Sequence, residues 1–150
     1  MKRFTETQAF SAWAYSVMGL TSIPLLLITA LTHRPAFFSL GWSFLIVPLG
    51  LICNLLCQKT VVSDSDLTVT FGAFVPLYRR HFALPEITAA EAVTYAPIAD
   101  YGGWGIRGWG QNTALNARGN RGVRLVLSDG RRVLVGSQRP QELAQALRAR

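Results

Sequence analysis

Between Glu6 and Lys59 the only Asp, Glu, Lys, Arg or His residues are His33 and Arg34, and no other feature constrains this chain so strongly. They divide two uncharged runs: AFSAWAYSVMGLTSIPLLLITALT over residues 9–32 and FFSLGWSFLIVPLGLICNLLC over residues 37–57. A helix rises about 1.5 Å per residue and a hydrocarbon core is about 30 Å thick, so each run is long enough to cross a bilayer. Only a few residues around His33, Arg34 and Pro35 separate them. The expectation is a tight antiparallel transmembrane hairpin within residues 1–58. A hydrophobic share of 50% and a mean hydropathy of +0.26 agree with apolar mass held in lipid. A cleaved signal peptide competes for the first run, but signal cores reach only about 7–15 residues and no A-x-A site closes the run ahead of His33. Two buried helices of a soluble protein are a further alternative, set against the length of the charge-free runs.

Lys2 and Arg3 precede the first run and Lys59 follows the second, while Arg34 stands alone between them. This pattern places both termini in the cytoplasm and makes the chain a multi-pass membrane protein. Trp13, Tyr15, Phe37, Phe38 and Trp42 fall where interfacial aromatic belts lie. Pro24 and Pro48 bend their spans. No Asp, Glu, Lys or Arg lies inside either run, which argues against an ion pathway or proton relay. Cys53 and Cys57 stand four apart, at neither redox nor zinc spacing; Cys57 is either a packing residue or an acylation site.

From residue 59 to 150 the texture is short β-rich runs between turn residues, then one helical pattern. Leu67, Val69 and Phe71 alternate with Thr68 and Thr70, residues 75–84 and 87–95 read as further strands, and Ser128-Asp129-Gly130 divides two apolar runs as a hairpin turn does. Ser137, Pro140, Leu143, Ala146 and Leu147 signal a capped amphipathic helix. The expected fold is a mainly-β barrel or sandwich of six to seven antiparallel strands closed by that C-terminal helix.

Within GGWGIRGWG, residues 102–110, stands a literal G-x-G-x-x-G. A dinucleotide fingerprint needs a buried strand before it and a helix after it, and this one has neither, so no nucleotide is expected. The stretch reads as extended backbone, with Trp104 and Ile106 on one face and Arg107 and Trp109 on the other.

The run YGGWGIRGWG, followed by NRGVRLVLSDGRRVLVGSQRPQEL behind two spans, resembles small bacterial membrane proteins with a pleckstrin-homology-like domain. That resemblance implies a place in a bacterial inner membrane, a seven-stranded β-barrel-like fold capped by the last helix, and no defined activity. Eukaryotic relatives hold phosphoinositide headgroups with a Lys and Arg cluster in the first hairpin. The matching stretch here, FGAFVPLYRR, has only Arg79 and Arg80, so that activity does not transfer.

No catalytic constellation emerges around His81, no His and Cys zinc cluster can assemble, and Asp64 and Asp66 read as turn formers, so neither cofactor nor metal is expected. Residues 59–150 carry twelve Lys and Arg against seven Asp and Glu. Nucleic acid suits such a balance, but a domain tethered to a membrane meets anionic headgroups first. The contact surface expected from this reading is Trp104, Arg107, Trp109, Arg121, Arg124, Arg131 and Arg132. Whether the two tryptophans face lipid or fill the core stays open. The functional expectation is a membrane-anchored, non-catalytic binding module with a protein partner or lipid as ligand. The alternative is an assembly subunit of a membrane complex acting through the hairpin, whose small residues Ala12, Ser16, Gly19 and Gly50 allow close helix approach.

Overall fold

The computed structural model describes residues 2–10 and 57–149, together with the separate positions Ser16, Gly19, Leu20, Ile23, Leu27, Ile52 and Asn54; of Trp109 it describes the backbone. Among the described residues nine strands form two sheets. In the first, β1 (Phe4–Ala9), β2 (Cys57–Val62), β3 (Asp66–Phe71) and β4 (Tyr78–Ala83) follow one another as an antiparallel meander. In the second, the order is β5 (Ile87–Thr94), β8 (Arg121–Leu127), β9 (Arg132–Gly136), β7 (Asn112–Asn116) and β6 (Gly105–Trp109). All pairs are antiparallel except β7 with β9. Two short α-helices are described in full: α1 (Pro97–Tyr101) after β5, and α2 (Pro140–Arg148) near the C-terminus.

Alternation decides what faces inward. Across the first sheet Phe4, Val62, Leu67 and Phe82 stand in register, all buried, and from the second sheet Val123, Leu125, Val133 and Val135 meet them in the same core. Helix α2 closes this core with Leu143, Ala144 and Leu147, packing on β5, β8, β1 and β2. A smaller cluster of Tyr95, Ala114 and Leu134, joined by Val93 and Tyr101, covers the other face of the second sheet.

The architecture corrects several expectations. The spans expected over 9–32 and 37–57 lie for the most part outside the described residues, as do Ala12 and Gly50. Where the described chain meets those spans, the two disagree. Ala9 ends β1 and Cys57 opens β2, and the two are paired across the sheet. No helix among the described residues is long and apolar enough to cross a membrane. Among the described residues the fold is a mainly-β one with two sheets, one parallel strand pair and two short helices, in place of a barrel of six to seven antiparallel strands, and no transmembrane hairpin is found among them. The multi-pass inner-membrane placement likewise finds no support among the described residues. Its topology rested on Lys2, Arg3 and Lys59 as charges flanking helix ends, whereas Lys2 and Arg3 lead into β1 and Lys59 lies inside β2. The first sheet also begins with Phe4, well before residue 59.

The glycine-rich stretch forms a β-hairpin of β6 and β7, with Arg107 opposite Ala114 and Trp109 opposite Asn112. Gly108 has φ of 78°, and a Cβ there would lie 2.1 Å from the Asn112 carbonyl oxygen, so the hairpin needs a glycine at this point.

Candidate functional site

Strand β4 is one edge of the first sheet and β6 one edge of the second. Arg80 shares a rung with Glu6, Thr60 and Val69, which places it at an inward register position. Yet Arg80 is exposed. The same is true across the gap, where Ile106 pairs with the buried Leu115 but is itself 40% exposed. The sandwich is thus closed over Phe4 and Phe82 and open between β4 and β6. An open corner of this kind exposes inward positions to solvent, which makes them usable for a ligand.

The resulting groove has a volume of about 950 Å³. Tyr78 and Arg80 form one wall; Ile106, Arg107 and Gly108 form the other, with Gln111, Arg131 and Tyr101 contributing from the turns and α1. Three arginines and no carboxylate line it. Among the described residues neither Arg80 nor Arg107 has a carboxylate partner. Arg131 is held by Asp129, whose carboxylate accepts from both the Arg131 backbone N–H and its Nε; these bonds keep the Asp129 carboxyl below its ordinary range. Arg107 is aimed by donating Nε–H to the Trp104 carbonyl at 3.0 Å.

Behind the groove the support is polar and buried. Tyr101 packs edge-on against Tyr95, with ring centroids 6.0 Å apart. The Tyr95 hydroxyl accepts from Asn116 Nδ2 at 2.9 Å, while Asn116 Oδ1 accepts the Gly105 N–H at 2.9 Å. Burial pushes the Tyr95 phenol above its ordinary pKa. On the opposite wall Tyr78 rests edge-on against the buried Phe71.

The seven residues expected as one surface do not stay together. Arg107 and Arg131 enter the groove. Arg124 and Arg132 lie on the outer face of the second sheet, Arg124 on the rung of Glu91, Leu134, Ala114 and Arg107 and Arg132 opposite Asn112 and Val126, but on the inner strands β8 and β9 rather than on the edge strand that borders the groove. Arg121 opens β8 opposite Thr94. Trp104 is half-buried and donates its indole N–H to the Gly119 carbonyl at 2.8 Å, pinning the start of β6 to the loop before β8. The side chain of Trp109 is outside the described set. Arg80, Tyr78 and Tyr101 were missed. The sequence signal for Arg80 is Arg79-Arg80-His81, three consecutive polar residues that break the alternation of a strand and mark an edge.

His81 has neighbours of catalytic type, but their geometry is wrong for a relay. Its Nδ1 bonds Thr68 Oγ1 at 3.0 Å and lies 3.5 Å from Asp66 Oδ2. A nucleophile, base and orienting acid need opposite ring nitrogens, and here both neighbours meet the same one. No group of three or more His, Cys, Asp or Glu side chains among the described residues could hold a metal ion. No family model, curated protein or solved structure matches this chain.

Proposed function

We propose that this chain is a non-catalytic binding module whose ligand carries clustered negative charge and seats in the groove between β4 and β6. The observation that carries the reading is the convergence of Arg80, Arg107 and Arg131 on one groove without a carboxylate in its lining. Arginine forks suit phosphate and carboxylate oxygens, and Tyr78, Tyr101, Gln111 and Thr113 add hydroxyl and amide groups that orient a bound molecule. A ligand bound there supplies the charge that Arg80 and Arg107 lack.

Calorimetric titration of the full chain with inorganic pyrophosphate tests this. The reading expects saturable, salt-sensitive heat that is lost in an Arg80→Ala, Arg107→Ala double variant of unchanged unfolding midpoint. Equal heats for the parent and the double variant contradict it, and leave the inward Arg80 as a device that blocks strand addition at an open edge.

A further inference from the structure

A second surface lies at the loop between β3 and β4, and its chemistry is apolar. Phe74 is 93% exposed, Val75 56% and Leu77 46%. Single exposed apolar side chains are ordinary; three around one tight turn are not. Nor can the loop collapse to hide them, because its backbone is tied down. The Gly72 N–H donates to the Cys57 carbonyl at 2.9 Å and the Ala73 N–H to the Asn54 carbonyl at 3.0 Å. The buried Asn54 side chain completes the clamp. Its Oδ1 accepts from Phe74 N at 2.7 Å and Val75 N at 3.1 Å, and its Nδ2 donates to the Val75 carbonyl at 2.7 Å. Gly72 closes the turn at φ 132°, where any Cβ would meet the Val75 oxygen at 2.0 Å. The clamp holds Phe74 out in solvent at no further ordering cost on docking.

The charges around this tip are of one sign. Lys59 and Arg79 share the first outward-facing rung below the turn, through Thr70. No Asp or Glu occurs from residue 67 to residue 85. A convex apolar tip above a cationic base matches a surface that is apolar below and anionic on top. We propose that residues 72–77 dock on an anionic lipid surface, with Phe74, Val75 and Leu77 entering the acyl boundary and Lys59 and Arg79 lying against headgroups. This goes beyond the groove reading, is independent of it, and requires no helix that crosses a bilayer.

The test reads out one position, so that association of the chain elsewhere does not enter. A polarity-sensitive fluorophore is attached to a Phe74→Cys variant of the full chain in which Cys53 and Cys57 are serine, and in parallel to Ser128→Cys in the β8–β9 turn. Vesicles contain phosphatidylcholine and phosphatidylglycerol with brominated acyl chains. Quenching at residue 74 several-fold above that at residue 128, reduced in pure phosphatidylcholine and in an Arg79→Ala variant, is the expected result. A second label at Val75→Cys repeats the readout independently of Phe74, and an unfolding midpoint equal to the parent's confirms the fold. Equal quenching at 74 and 128 overturns the proposal. So does a blue shift at 74 without bromine quenching, the signature of a protein partner or a second copy covering the tip.

Discussion

The Glu6 carboxylate accepts a hydrogen bond from Ser137 Oγ at 2.6 Å, tying the first strand to the turn that starts the last helix. Its other oxygen accepts the Gln138 N–H at 2.8 Å. Arg139 then reaches back, its guanidinium 4.9 Å above the Phe4 ring and donating to the Thr5 carbonyl. Substituting Glu6→Ala leaves the fully buried Ser137 hydroxyl and a backbone N–H without their acceptor. The expected loss is about 1–3 kcal/mol in urea unfolding, against no measurable change for the outward Thr7→Ala.

Acid should weaken the start of β3 over a defined range. Hydrogen bonds from Ser63 and Thr68, with Ser65 and His81 adding to them, lower the Asp66 carboxyl from 3.8 to about 2. A depressed folded-state value contributes stability that is complete above the unfolded value and is lost as pH falls through the folded one. An Asp66→Asn variant should therefore flatten the stability profile between pH 3.8 and about 2, relative to the parent. Parallel profiles in that window would show that the carboxylate contributes nothing.

The glycines of the β6–β7 hairpin differ in what they prevent. Gly108→Ala combines positive φ with collision against the Asn112 backbone and should cost about 1–3 kcal/mol or more. Gly110→Ala meets nothing within 4 Å and pays only the left-handed conformation, about 1–2 kcal/mol. Unfolding midpoints in the order parent, Gly110→Ala, Gly108→Ala check the steric account; the reverse order contradicts it.

Groove arginines should weigh separately in affinity. Hydrogen bonds to charged groups contribute about 1.5–3 kcal/mol, so Arg80→Ala or Arg107→Ala should each weaken pyrophosphate binding by about 10- to 100-fold. Arg121→Ala, at the head of β8 and away from the groove lining, should leave affinity within experimental error.

The elements legible in the sequence were those whose local chemistry and tertiary role agree. Asp129-Gly130 makes the turn between β8 and β9, and Pro140 opens α2, because turn and first-turn preferences act within a few residues. Strand β1 was illegible because its inward positions are Phe4, Glu6 and Gln8, so the apolar alternation that marks a half-buried strand is missing. Among the described residues Glu6 is satisfied by Ser137 and Gln138 at the far end of the chain. Arg80 escaped for a related reason: its inward register places it at an opening that exists only once two sheets have come together. Arg107 and Arg131 could be noticed as neighbours in a basic run, but Arg107 shares its outward face and its rung with Arg124, and what separates them is the strand order that puts β6 at the edge and β8 three strands away, which spacing alone does not fix.

The most direct test follows the arginine side-chain Nε–Hε resonances of the full chain during titration with inorganic pyrophosphate. The account predicts that Arg80, Arg107 and Arg131 shift together along one saturating curve while Arg121, Arg124 and Arg132 stay in place. Uniform shifts across all six, or shifts confined to Arg121, Arg124 and Arg132, would contradict it and return the groove to a purely structural role.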